Sequence, residues 1–448
     1  MEGTQPTVVF FPEGAYGPTN NCVGIGAELQ RRGARVIFVI EESFQGTLAA
    51  KGFEEQLMRL KPKLEVQEAP GQFWKDFIRE TAPEFRKSTI EQIETLTRPI
   101  WGELIDGSRF VNSRLEEIFE DVRPDVIVQD NVVAFPAVLT AGRPWVRIVS
   151  CNPLEVADSS LPPVLSGLPM NDRSDWDRFR RAYADAHAEL HRDFDQFCRD
   201  MGCPPLPGGE FMYASPFLNL YVYPDELDYP RERRLNETWQ QLESCVRRTD
   251  PEFALPDRLQ APTPTLPHRG RETSGRKLIY LSLGSLGSAD TRLMTRLIDI
   301  LGRTDYRVVV SMGPQHHELR LADNMYGEEF LPQTSILPLV DLVITHGGNN
   351  TVTESMHFGK PMVVLPLFWD QHDNAQRVQE TGFGLRLDAY QCDDRQLLGS
   401  IERLLTDEAL AARLALVSRR LQAAPGTVQA AGRIEAVSRS RLPIAART

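Results

Sequence analysis

Short runs that are apolar at nearly every position, rather than at alternate positions, recur along this chain and alternate with helical stretches. Thr7 to Phe11, Arg35 to Ile40, Asp125 to Val128 and Val146 to Val149 are such runs in the first half. A strand with no polar face must be covered on both sides, so the pattern predicts a parallel sheet with helices on both faces. Cys22 to Arg32 reads as a helix ending at Gly33, helical periodicity runs from about Gln72 to Glu120, and Asp175 to Met201 reads as a further helix. On that helix Trp176, Phe179, Tyr183, Leu190, Phe194 and Phe197 form an apolar stripe at helical spacing, which reads as packing surface. The pattern breaks between Arg247 and Arg276, where Pro251, Pro256, Pro262, Pro264 and Pro267 join Gly270 and Gly275 and no apolar periodicity survives. It then restarts with strand-like runs at Lys277 to Leu283, Arg307 to Ser311, Leu342 to Thr345 and Met362 to Leu365. The reading is α/β: two doubly wound domains over residues 1–246 and 277–448, joined by a linker over 247–276.

Composition removes several classes. A chain of 448 residues exceeds one ordinary core. A net charge of -12 argues against nucleic acid or an anionic membrane as the main partner. No run approaches the roughly 20 apolar residues that span a bilayer. The N-terminus enters its first strand without a basic region followed by an apolar stretch, so no secretory leader is expected. The six cysteines are scattered and form no CxxC pair, which fits reduced thiols in a cytoplasmic protein. No metal ligands are proposed: His187 and His191 lie four apart on one helix face but lack further ligands near in sequence.

Ligands of open parallel sheets bind at the carboxyl ends of strands. Three such ends in the second half carry suitable chemistry. Gly284-Ser285-Leu286-Gly287-Ser288 offers small residues that let backbone N–H groups approach a phosphate. His346-Gly347-Gly348-Asn349-Asn350-Thr351 opens a helix whose N-terminus favours an anion, and Glu354 lies one turn further. Asp370 beside Gln371 suits the adjacent hydroxyls of a sugar.

From about Phe330 to Gly384 the chain resembles the nucleotide-sugar signature of the family 1 glycosyltransferases, the UDP-glycosyltransferase superfamily, in its soluble bacterial type. The matching text is Phe330-Leu331-Pro332-Gln333, His346 to Glu354, Gly359-Lys360-Pro361-Met362, Pro366 to Gln371 and Asn374-Ala375, in order and at family spacing. The resemblance implies a GT-B fold, two Rossmann-like domains facing across a cleft, with the acceptor held by the first and the donor by the second. It implies no metal and no cofactor beyond a UDP-sugar co-substrate. Phe330 stands where the family stacks an aromatic on the base, and Gln333 would contact base or ribose. His346, Gly348, Asn350, Thr351 and Ser285 would hold the diphosphate, Glu354 the ribose, and Asp370 and Gln371 the sugar, with glucose expected. The partners implied are the nucleotide sugar and a small hydrophobic acceptor. Phe11, Phe73, Trp74, Phe77, Trp101, Phe110 and Phe135 could serve such a pocket, although most would be core in any case. The stretch after Ala423 is where the family's last helix often returns to the first domain.

One feature departs from the family. Its first strand runs into Gly-His-x-x-Pro, whose His is the general base, oriented by a later Asp. Here the corresponding acceptor-side loop reads Gly14-Ala15-Tyr16-Gly17-Pro18-Thr19-Asn20-Asn21, with Pro18 in the histidine's place, and the first His of the chain is His187. Four readings stay open: an acceptor that needs no strong base, Asp130 as the base, another residue such as His187 or His191 swinging in, or a homologue that binds donor without efficient transfer and partners a true transferase. Tyr16, with an ordinary pKa near 10, is a poor base. Glu13 is a candidate if the loop turns it inward. A nicotinamide oxidoreductase would need a G-x-G-x-x-G that the first loop lacks, and a nucleotide-sugar epimerase would share the two-domain fold.

Overall fold

The computed structural model describes residues 5–62, 80–260 and 276–443. Seven parallel strands form the first sheet: β1 (Thr7–Pro12), β2 (Arg35–Glu41), β3 (Glu54–Met58), β4 (Val126–Asp130), β5 (Trp145–Val149), β6 (Leu218–Val222) and β7 (Trp239–Leu242), in the order β3-β2-β1-β4-β5-β6-β7. Six parallel strands form the second: β8 (Leu278–Ser282), β9 (Arg307–Ser311), β10 (Met325–Glu328), β11 (Leu342–Thr345), β12 (Met362–Val364) and β13 (Gly384–Arg386), in the order β10-β9-β8-β11-β12-β13. The central strands are the apolar runs legible in the sequence. The strands that were not legible are the edges β3, β7, β10 and β13, together with β6. Edge strands are covered less completely, so they carry polar residues and lose the continuous signal; β3 reads EEQLM and β7 WQQL.

Each order reverses once, between β1 and β4 and between β8 and β11. These are topological switch points, where the crossing helices diverge and leave a crevice at the strand carboxyl ends. Pro12 pairs with Asp130 at the first and Ser282 with Thr345 at the second, so Glu13 and the loops after Ser282 and Thr345 all begin at crevice mouths.

The first helix, Tyr16–Arg31, starts six residues earlier than its apolar periodicity predicts. Gly17 and Pro18 therefore lie in its first turn, not in an acceptor-side loop. The N–H groups of the first turn have no intrahelical acceptor, so proline costs little there. The helix over Trp176–Asp200 buries Trp176, Phe179 and Phe194 as core. The periodicity expected from Gln72 begins outside the described residues; from Thr89 the chain runs through a capped turn at Ser88 and a π-helical step over Ile93–Thr97 into the helix Arg98–Val122.

The reading of 247–276 as a linker falls partly on residues 261–275, which lie outside the described residues. The described part is packed: Thr334 donates to Asp250, Ser335 to the Pro251 carbonyl and Arg307 to the Leu259 carbonyl. The last helix, Gly426–Ser440, sits on the first domain, where Ala430, Ala431, Ile434 and Val437 join the core on one face of the seven-stranded sheet. It enters beneath Ser244, and a Cβ on Gly426 would lie 2.3 Å from the Ser244 carbonyl oxygen. Among the described residues no helix is long and apolar enough to cross a membrane.

Candidate functional site

A cavity of about 620 Å³ lies between the two sheets, at both switch points. That is within the roughly 300–1,000 Å³ typical of small-molecule sites. It is lined by Ser285, Phe330, Gln333, His346, Gly348, Asn350, Thr351, Glu354, Asp370 and Gln371 from the second domain and by Glu13, Tyr16, Gly17, Pro18, Ser150 and Cys151 among residues of the first. Asp130 does not line it.

The helix Asn349–His357 opens on this cavity from Gly348, with no side chain capping its first turn. Its first N–H groups are therefore unpaired donors at the positive end of a helix dipole. Close backbone approach produces this geometry. Gly347 has φ +90 and Gly284 φ +71, values that L side chains seldom adopt. A Cβ on either Gly284 or Gly348 would lie 2.7 Å from the His346 ring, which is wedged between the two loops. Burial lowers the imidazole pKa to about 4, so His346 is neutral at pH 7 and offers a hydrogen bond rather than a charge.

Glu354 is buried and already paired: one oxygen meets the Arg247 guanidinium at 2.8 Å, the other accepts from the Gln333 amide at 2.6 Å. Burial raises its pKa and Arg247 opposes the rise. Asn350 spans the cleft, donating to the Gly17 carbonyl and accepting from the Asn21 amide, both at 2.8 Å. The exposed Phe330 ring lies 5.5 Å from Tyr16 across the cleft, and Tyr16 meets Phe44 edge-on at 5.3 Å.

Trp369 has φ +57, an unusual conformation for a bulky residue, and it turns the chain so that Asp370 and Gln371 face inward. The Gln371 side-chain amide oxygen accepts from the N–H groups of Leu367 at 3.0 Å and Phe368 at 3.2 Å, closing the loop on itself. Asp370 accepts from the Asn152 N–H at 2.9 Å and from the Asn374 amide at 3.3 Å. Burial is the main cause that raises its pKa to about 7.

The sequence reading passed over several residues that assemble this site. Asn152 joins Asn374 at 2.8 Å and Tyr223 joins it at 3.0 Å, while Asn374 holds the Gly347 carbonyl at 2.9 Å. Asn349 donates to the carbonyls of Ser150 and Val222. Asn374 was visible as part of the motif; Asn152 and Arg247 had no local signal, because the site residues they hold, Asp370 and Asn374 for one and Glu354 for the other, are more than 100 positions away.

On the acceptor side Asp130 and Glu13 stand differently toward the cavity. Asp130 is buried, with one oxygen accepting from the Ser150 hydroxyl at 2.8 Å and the other unpartnered, and burial drives its pKa well above the usual carboxylate value. It is buried and absent from the cavity lining. Glu13 does line the cavity, and burial, with help from Glu155 and Asp370, raises its pKa to about 7. Of the candidate pocket aromatics, Phe11, Trp101 and Phe135 are core, Phe110 is exposed on the outer surface, and Phe73, Trp74 and Phe77 lie outside the described residues. His187 and His191 bond to the carbonyls of Tyr183 and Pro207 and flank Phe211, away from the cavity.

The family model described as erythromycin biosynthesis protein CIII-like, C-terminal domain, matches residues 295–437. NDP-glycosyltransferase YjiC of Bacillus subtilis is 23% identical over 436 residues, covering 96% of this chain and 97% of that protein. Demethyllactenocin mycarosyltransferase of Streptomyces fradiae is 22% identical, covering 96% and 86%. The same fold appears in the crystal structure of the glycotransferase of kitacinnamycin, at TM-score 0.66 and 21% identity over 98% of this chain and 100% of that one. It appears also in glycosyltransferase VinC in complex with DTDP, at TM-score 0.61 and 17% identity over 97% and 99%. With the signature loops gathered at facing switch points, these likenesses show the GT-B fold and support a family 1 glycosyltransferase.

Proposed function

We propose that the chain moves glucose from UDP-glucose to a small hydrophobic acceptor, with inversion at the anomeric carbon. Transfer from a nucleotide sugar is the function its relatives share; the nucleotide, the sugar and the acceptor class are our reading. The observation that carries it is the convergence of the three second-domain loops on one cavity that the first domain closes. Among the lining residues only Lys51 and Arg247 are cationic, and Arg247 is neutralised by Asp250 and Glu354. A diphosphate here would be met by the open helix end after Gly348, by neutral His346 and by Ser285, a preorganised set of neutral donors for the charge that develops on the leaving group. Thr351, Gln333 and Glu354 would face the nucleoside, Phe330 the base, and Asp370 and Gln371 the sugar. The acceptor would enter between Glu13, Cys151, Ile100 and Leu104.

One observation favours a second reading, a dTDP-deoxysugar donor. The Gln371 side-chain amide oxygen and one Asp370 oxygen are already occupied within the protein, which leaves fewer acceptors for a fully hydroxylated ring. Product mass from UDP-glucose and from dTDP-sugars, each offered with a panel of phenols, amines and thiols, decides between them. Transfer from neither donor, with no donor binding by calorimetry, would remove the transferase reading.

A further inference from the structure

We infer that Glu13 is the general base of the transfer, the group that takes the acceptor's proton in the absence of the loop histidine. This rests on the proposed function. Glu13 is the first residue after β1 and is fixed at the switch point by its N–H, which donates to the Asp130 carbonyl at 2.9 Å. It shares the cavity wall with Ser150, Cys151 and Asp370, and Asp370, on the loop that would hold the sugar, is near enough for its charge to act on the Glu13 carboxyl. No group among the described residues donates a hydrogen bond to its carboxyl, which leaves both oxygens able to receive a proton.

Three competing bases are disfavoured by position or chemistry, and Asp370 is already engaged by the Asn152 N–H and the Asn374 amide. Asp130 is absent from the cavity lining, and one of its oxygens is engaged by Ser150. Burial moves the Tyr16 phenol further above its ordinary value, leaving it more fully protonated at neutral pH. His346 belongs to the donor loops, and its low pKa makes it a weak base.

The surroundings also suit the task. Burial first, then the charges of Glu155 and Asp370, bring the Glu13 carboxyl to about 7, close to where a general base acting at neutral pH works best. The other titratable groups around it are Asp130 at the end of β4, Cys151 after β5 and Glu41 at the end of β2, beside Gly14. In the step itself the acceptor oxygen forms a bond to the anomeric carbon while the bond from that carbon to the diphosphate oxygen breaks. The hydroxyl proton passes to the Glu13 carboxylate, and the nucleoside diphosphate departs with the electron pair of the broken bond.

The test is transfer to phenols of graded acidity, measured across neutral pH for wild type, Glu13→Gln and Glu13→Asp, with donor binding followed by calorimetry. Wild-type rates on weakly acidic phenols should fall as pH drops through about 7. Glu13→Gln should slow weakly acidic phenols by roughly 10²–10⁴-fold, the usual worth of a positioned base, while hardly slowing phenols that are already ionised. Its rate should therefore depend much more steeply on acceptor acidity, with donor affinity unchanged, and Glu13→Asp should recover part of the loss. An equal loss on every phenol, or an unchanged rate in Glu13→Gln, would overturn the assignment. A wild type that binds donor yet transfers to no phenol overturns the base role alone; one that binds no donor overturns the transferase reading beneath it.

Discussion

Replacing Arg247 with Leu removes the cation that compensates two carboxylates at the edge of the site. Arg247 is buried and meets Glu354 and Asp250 at 2.8 Å each. Leucine leaves Glu354 with only the Gln333 amide in a fully buried position. Breaking a buried pair by deleting one partner costs about 3–5 kcal/mol, and at 2–4 °C per kcal/mol for a domain of this size the second domain should melt roughly 6–20 °C lower. The deficit should depend on pH. The Glu354 pKa is already raised by burial and must rise further without Arg247. A carboxyl whose folded pKa exceeds its unfolded value loses stability as pH climbs between the two, so the deficit is fully present above the folded pKa and shrinks toward the unfolded value of about 4.5. Adding Glu354→Gln to Arg247→Leu removes the stranded charge and should return about half of the loss at pH 8. Scanning calorimetry of the three variants at pH 8 and pH 5.5 measures all of this. A shift below about 2 °C, or one independent of pH, would refute the view that Arg247 compensates a buried charge.

Further outcomes follow from the same geometry. Asn350→Ala removes two hydrogen bonds across the cleft, about 1–3 kcal/mol with the Asn21 amide left unpaired; small-angle scattering should show a more open chain and donor KM should rise. Gly284→Ala places a Cβ 2.7 Å from the His346 ring at φ +71, so donor affinity by calorimetry should fall at least about tenfold while the far-UV spectrum is kept. Asp130→Asn keeps the shape of a buried carboxyl that lies outside the cavity, and its transfer rate should stay within about tenfold of wild type; a loss of 10³ or more would return Asp130 to the role of base.

Much of this protein is local in origin. Parallel strands buried on both faces must be written in apolar residues, so β1, β2, β4, β5, β8, β9, β11 and β12 are legible one by one, and their spacing leaves room for little besides helices. The donor loops are legible because glycines, small hydroxyls and an amide–carboxylate pair must stand at fixed offsets from a strand end for backbone to approach a phosphate. The edge strands escaped because pairing on one side alone imposes no such composition. The start of the first helix escaped because Gly-Pro-Thr-Asn-Asn reads as a turn unless the need of an N-terminal turn for few N–H donors is weighed against it.

What tertiary structure alone decided is the state of the side chains. Glu13 follows β1 and Asp130 ends the neighbouring β4, and nothing local says that the first lines the cavity while the second is buried against Ser150. Arg247, 107 positions away, holds Glu354. Asn350 reaches Gly17 across 333 positions. Protonation and hydrogen bonding depend on which groups are brought within a few ångströms and on how much water is excluded between them. Those are properties of the closed cleft, where distant segments meet, and no short stretch of the chain carries them.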